Sequence, residues 1–166
     1  MKVIILAGGF GTRIAEYTQK KPKPMIKIGG IPLLTHIIRL YVSYGFKEFI
    51  IAAGYKKKVI QDYYLKSKEF KNLKVVDTGK QTMTGGRLKR LKPYIKNGEN
   101  FFLTYGDGLS DINLNKLKRF HLKHKKIATV TAVRPPVRFG EMSIKNSRVS
   151  SFKEKPEVKS SWINGR

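Results

Sequence analysis

Lys2-Val3-Ile4-Ile5-Leu6-Ala7-Gly8-Gly9-Phe10-Gly11-Thr12-Arg13 opens the chain with an unbroken apolar run that stops at glycines. A run of β-branched and aliphatic residues without polar alternation suits a strand buried on both faces, as in a parallel sheet. The glycines let the backbone approach a phosphate chain and turn N–H groups toward it. Thr12 adds a hydroxyl and Arg13 a planar cation suited to phosphate oxygens. The spacing of Gly8, Gly9 and Gly11 does not fit G-x-G-x-x-G, and no Gly-Lys-Ser/Thr closes a P-loop. By itself the segment also reads as a plain glycine turn. With Thr12-Arg13 attached directly after a buried strand, phosphate binding is the expectation.

The rest of the chain repeats the alternation. Pro32 opens a helical pattern through Leu33, Leu34, Ile37, Ile38 and Tyr41, stopped by Gly45. Phe49–Ala53 reads as a second buried strand, Val59–Leu65 as a helix and Leu73–Val76 as a short strand. Leu88–Ile95 reads as a helix despite Pro93. Phe101–Tyr105 is a strand ended by glycine, Leu114–His124 a helix and Ala128–Val133 a strand. After Pro135-Pro136 the pattern is short strands and turns. Strands alternating with helices predict an α/β fold, with a parallel sheet and right-handed crossovers.

The chain has 166 residues, 35 basic against 11 acidic, a net charge of +24 and no Cys. The length fits one domain. The hydrophobic content, 40%, argues against a disordered tail. The lack of Cys excludes a disulfide framework, thiolate zinc and a Cys nucleophile. No apolar run approaches a membrane span, and the N-terminal run is too short for a signal peptide, so a cytoplasmic protein is expected. The charge invites a nucleic-acid reading. Yet it is spread evenly, +11 over residues 1–83 and +13 over 84–166, and Lys outnumbers Arg by 26 to 9. Base readout and bidentate phosphate recognition favour Arg. A solvated Lys-rich surface is therefore expected, with no specific nucleic-acid partner.

Two further segments follow strands or flank them. In Lys21-Pro22-Lys23-Pro24-Met25, each proline fixes its neighbourhood, so Lys23 has a restrained backbone. A pre-positioned Lys suits phosphoryl-type transfer, where charge and alignment carry the chemistry. On composition alone it reads equally as a solvated loop. In Thr104-Tyr105-Gly106-Asp107-Gly108, a carboxylate just past a buried strand has room for a hard cation such as Mg²⁺. Asp-Gly also signals a hairpin, but the helical pattern at 114–124 puts no strand next to it. Asp111 reads as a helix-start residue. His36 reads as structural, and His121 and His124 as a solvated face. In Met83-Thr84-Gly85-Gly86-Arg87-Leu88, a loop enters a helix, either as a plain helix start or with Arg87 facing an anion.

Taken in order, these segments resemble the sugar-1-phosphate nucleotidyltransferases. The resemblance rests on residues 6–13 and 21–25. It extends to Val76-Asp77-Thr78-Gly79, Met83–Arg90, Thr104–Gly108, Pro135–Gly140, Glu154-Lys155-Pro156 and Ile163-Asn164-Gly165. The later motifs are most similar to those of the glucose-1-phosphate cytidylyltransferases. The resemblance implies a Rossmann-like, mostly parallel sheet flanked by helices, of the nucleotide-diphospho-sugar transferase type. It implies conversion of CTP and α-D-glucose 1-phosphate to CDP-glucose and pyrophosphate with Mg²⁺, for nucleotide-sugar and surface polysaccharide synthesis. Carried over by position, Leu6, Ala7, Gly8, Gly9, Phe10, Gly11, Thr12 and Arg13 cradle the nucleotide, with Thr82, Arg87 and Gly106. Arg13, Lys23 and Asp107 are the catalytic set, and Asp107 holds the metal. Gly140, Glu154, Lys155 and Asn164 lie on the sugar-phosphate side, and the resemblance leaves room for a homo-oligomer.

The chain departs from that pattern twice. Tyr64–Leu73 briefly bridges a place where the family carries a longer segment, which bears on base choice and keeps thymidylyl or uridylyl transfer as the alternative. The family also continues past Ile-Asn-Gly and supplies a second acidic metal ligand there. The expectation is thus a single domain, 1–166, matching the N-terminal portion of the family's, incomplete at its C-terminus. An inactive nucleotide-holding module is the competing reading.

Overall fold

The structure, a computed structural model, describes residues 1–12, 15–18, 20–135, 140–154 and 162–165. Along the chain come β1 (Lys2–Ala7), α1 (Ala15–Thr18), β2 (Lys27–Ile28), β3 (Ile31–Pro32), α2 (Leu33–Ser43), β4 (Phe49–Ala53), α3 (Lys57–Ser67) and β5 (Leu73–Asp77). There follow α4 (Thr84–Arg90), β6 (Phe101–Tyr105), α5 (Leu114–His124), β7 (Ala132–Val133), β8 (Glu141–Lys145), β9 (Arg148–Lys153) and β10 (Ile163–Asn164). Contacts divide these into two compact units, Met1–Lys118 and Arg119–Arg166.

The first unit is built on a parallel sheet ordered β5-β4-β1-β6. Successive side chains of β1 and β4 point to opposite faces, and both faces are covered, which is why the sequence shows no polar alternation. Val3, Ile5, Phe49 and Ile51 pack with Leu34, Ile37, Ile38 and Tyr41 of α2, Ile60 and Tyr64 of α3, and Leu114. Ile4, Leu6, Ile50, Ala52 and Val76 pack on the other face with Leu91, and with the partly buried Leu88 and Tyr94. Fully burying one such aliphatic side chain contributes about 1.5–3 kcal/mol.

The second unit is antiparallel: β8 pairs with β9, and β7 with β10. Asn146 and Ser147 both take left-handed φ, 49° and 57°, as a two-residue hairpin turn matched to strand twist requires. Among the described residues, none after Leu114 is buried.

Two sequence expectations shift. The helix expected over Leu88–Ile95 begins at Thr84 and ends at Arg90, and a 3₁₀ turn follows over Lys92–Tyr94. Pro93 cannot donate to the helical ladder, so the chain tightens there. The strand expected over Ala128–Val133 is only Ala132–Val133, paired with Ile163–Asn164. A β-branched run becomes a strand only where a neighbour offers its ladder.

Candidate active site

The chain steps from β1 to β4 to β5 in one direction, then returns past β1 to lay down β6 on its other side. The strand order therefore reverses between β1 and β6. In open α/β sheets, ligands bind outside the carboxyl ends of the strands at this point. The glycine loop Gly8–Gly11 leaves β1 there, and Gly106-Asp107 leaves β6. Gly106 N–H donates to Leu6 O at 2.9 Å. A Cβ on Gly106 would sit 3.1 Å from both Leu6 O and Pro24 Cγ, tighter than ordinary contact, so glycine suits this approach of loop to strand.

Lys23 starts a 3₁₀ turn, Lys23–Met25, after an extended Pro22 (φ −67°, ψ 149°). Met25 N–H donates to Pro22 O and Ile26 N–H to Lys23 O, while Pro24 and Met25 are buried. The two prolines thus fix the backbone as the sequence suggested. The ammonium reaches Asp107, Nζ to Oδ2 2.7 Å, across 84 positions of sequence. Both side chains keep solvent access, 35% for Lys23 and 27% for Asp107. A cation and a hard carboxylate oxygen therefore meet beyond the carboxyl ends of β1 and β6. No group of three His, Asp or Glu gathers among the described residues. Asp107 fits the habit of Mg²⁺, which takes one or two carboxylates and completes its shell with water and substrate phosphates.

Arg87, on α4, lies on the other flank of the loop and is 5% exposed. Its Nη1 donates to Thr78 Oγ1 at 2.7 Å, Gly79 O at 2.8 Å and Ala53 O at 3.4 Å. Its Nη2 donates to Gly8 O at 2.9 Å and Lys80 O at 3.4 Å. A Cβ on Gly8 would land on the guanidinium and one on Gly54 would lie 2.5 Å from Nη1, so glycine at both positions makes room for this packing. Desolvation pulls the Arg87 pKa down, and Arg90 adds to this, while Asp77 opposes it. Thr78 Oγ1, fully buried, donates in turn to Ala53 O. Asp77 accepts from Lys57 and from Gly79 N–H. These bonds, Lys57's first, hold its carboxyl below the usual range.

The remaining predicted residues divide between the two units. Leu6, Ala7, Gly9, Phe10, Gly11 and Thr12 belong to β1 and its loop, and Thr82 lies against Gly79 and Gly86. Gly140 sits beside Phe152 and Glu154, and Asn164 pairs with Ala132, all in Arg119–Arg166. Arg13 and Lys155 lie outside the described residues. Sequence reasoning gave no role to Thr78, Asp77 or Tyr55. Tyr55 N–H donates to Gly8 O at 3.2 Å, and its ring meets Phe10 at 5.2 Å between centroids. The available signal was Asp77-Thr78-Gly79 directly after a strand. His36 Nε2 lies 3.0 Å from Ile28 O.

A nucleotidyl transferase family model matches residues 2–164. The chain belongs to the nucleotidyl transferase family. This nucleotidyl transferase is 45% identical to the glucose-1-phosphate cytidylyltransferase of Salmonella typhimurium, over 99% of its own length and 73% of that protein's. It is 38% identical to the probable glucose-1-phosphate cytidylyltransferase of Bacillus subtilis, covering 93% and 69%. Among solved structures, HddC from Yersinia pseudotuberculosis complexed with GMP-PN superposes with a TM-score of 0.70 at 25% identity, covering 99% and 73%. No helix among the described residues of this nucleotidyl transferase is long and apolar enough to cross a membrane.

Proposed function

We propose that this chain transfers a cytidylyl group from CTP to α-D-glucose 1-phosphate, giving CDP-glucose and pyrophosphate. The likeness to the Salmonella cytidylyltransferase over 99% of the chain supports the choice of base and sugar. The observation that carries the reaction class is the Lys23–Asp107 pair at the strand-order reversal.

A phosphate oxygen of glucose 1-phosphate attacks the α-phosphorus of CTP. The bond from that phosphorus to the bridging oxygen breaks, and pyrophosphate leaves with the electron pair. The protein's task is alignment and charge stabilisation. Gly8–Thr12 presents the glycine loop to the phosphates, and Lys23 brings an ammonium whose backbone is already fixed. Asp107 would hold Mg²⁺, which supplies charge neutralisation on the phosphate oxygens. Lys155 and Arg13 would add cations to the sugar phosphate and the triphosphate, as the resemblance implies. The reaction is proposed to run in the cytoplasm, the compartment expected from the sequence.

The test is a panel of CTP, dTTP, UTP and GTP with glucose 1-phosphate, read by pyrophosphate release. CTP is expected to give the highest kcat/KM. Preference for dTTP or UTP would overturn the cytidylyl assignment. Lys23→Met and Asp107→Asn are each expected to lower kcat/KM by ~10²-fold or more, the usual cost of removing one preorganised charge from such a site. A variant that keeps wild-type turnover would remove that side chain from the reaction.

A further inference from the structure

The buried guanidinium of Arg87 has five acceptors and none of them is a carboxylate. A buried charge with no carboxylate in contact is costly, and hydrogen bonds must compensate it. Here they come from the ends of three strands: Gly8 after β1, Ala53 of β4, and Thr78 to Lys80 after β5. One of these contacts has a geometric result for the glycine loop.

In a parallel ladder, residues two apart direct their carbonyls to the same neighbouring strand. Leu6 O faces β6, where it accepts from Gly106 N–H at 2.9 Å. Gly8 O, two residues on, would face β6 if the strand continued. Instead it turns the opposite way, toward β4 and β5, and accepts from Tyr55 N–H and Arg87 Nη2. The described residues contain no cis peptide. In a planar trans unit, the C=O and the following N–H point in opposite directions. Gly9 N–H is therefore turned away from β4 and β5, to the β6 side of the loop. A Cβ built on Gly9 meets nothing within 4 Å, so Gly9→Ala introduces no clash there.

We propose that Arg87 is a positioning residue that acts on the nucleotide through the Gly8–Gly9 peptide: its guanidinium holds the Gly8 carbonyl so that Gly9 N–H faces a phosphate oxygen. The inference rests on the nucleotide reading above and deepens it. It assigns Arg87 a part different from direct contact with the nucleotide, the part the sequence resemblance implied. Arg is needed because its planar fork serves several carbonyls at once, whereas a Lys ammonium is a point charge on a flexible stem. A backbone donor fixed in place before the ligand arrives needs no reorganisation on binding.

The experiment uses the full chain labelled with [15N]glycine, whose 15 glycines give a readable amide spectrum. The Gly9 resonance is assigned by its absence in Gly9→Ala. CTP is titrated into wild type, Arg87→Lys and Gly8→Ala. Gly8→Ala keeps the Arg87 charge and displaces the guanidinium with a methyl group, and so guards against a folding defect specific to Arg87→Lys. The other glycine resonances report folding in each sample. In wild type, the Gly9 amide proton is expected to move downfield on saturation. Both variants are expected to bind CTP ~10-fold or more weakly, the worth of one hydrogen bond to a charged acceptor. At saturation their Gly9 amide should not show the wild-type shift. If Arg87→Lys weakens CTP but the Gly9 shift persists at saturation, Arg87 touches the nucleotide itself and the proposal is overturned. It is also overturned if both variants bind CTP like wild type, or if wild type binds CTP with Gly9 unmoved. A wild type that binds no nucleoside triphosphate would instead remove the nucleotide reading on which the inference rests.

Discussion

Asp77 closes β5 and takes two donors, the Lys57 ammonium and Gly79 N–H. Both favour the anion, so its folded pKa lies below the usual carboxylate range. A depressed carboxyl contributes stability at pH above its unfolded pKa and loses it as pH falls through the folded one. Asp77→Asn is therefore expected to melt below wild type at pH 7, with the gap closing below pH ~4. Both partners are 44% exposed, so the effect is small, ~1 kcal/mol or less as for other exposed pairs. Thermal melts of the two proteins from pH 7 to pH 3 provide the check. A gap of constant size would mean that the amide costs stability for reasons unrelated to charge.

Where a segment is buried on both sides, its sequence announced it. β1 and β4 read as apolar runs because α2 and α3 cover one face and Leu88, Leu91 and Tyr94 the other. The helix Leu114–His124 was legible to the residue from its apolar spacing. Thr84-Gly85-Gly86 hid the start of α4, because glycines are poor helix formers and only the tertiary setting, with Arg87 tied to three strand ends, makes them helical. The same limit applies to the site. Glycines beside a strand end were readable, but the meeting of Lys23 with Asp107 depends on the crossover that returns β6 next to β1. No local pattern carries that information. The packing of α2 on α3 shows a second pairing of this kind: Thr35 Oγ1 and Tyr64 Oη lie 3.0 Å apart, both buried. Burial also raises the Tyr64 pKa. Tyr64→Phe leaves the threonine hydroxyl without its partner and should cost ~1 kcal/mol, and Thr35→Val a similar amount. The double variant removes both polar groups, so its loss should be smaller than the sum of the two. Urea unfolding of the four proteins measures this coupling, and strict additivity would show that the bond contributes nothing.

The net charge of +24 acts on the folded state as a whole. Four ion pairs are seen among the described residues, each joining one Lys or Arg to one acid. With 11 acids against 35 cations, the cations are in large excess and repel one another, which destabilises the compact state. Salt shortens the reach of that repulsion from ~30 Å at 0.01 M to ~8 Å at 0.15 M. Raising sodium chloride over this range should lift Tm by ~2 °C or more, equivalent to ~1 kcal/mol for a chain of this size. Far-UV circular dichroism suits the measurement, because every buried residue among those described lies within Met1–Lys118. The single tryptophan, Trp162, is 61% exposed and stacks with Arg134, so its fluorescence reports the other unit. A Tm that stays flat or falls with chloride would show that the surface charges are too well solvated to matter. General screening and site binding separate on anion identity. At equal ionic strength, chloride and acetate screen alike, whereas pyrophosphate, the product of the proposed reaction, would also bind at Lys23 and stabilise by mass action. Pyrophosphate should therefore raise Tm beyond chloride in wild type, and the excess should vanish in Lys23→Met, since losing one of 35 cations leaves the general term almost unchanged.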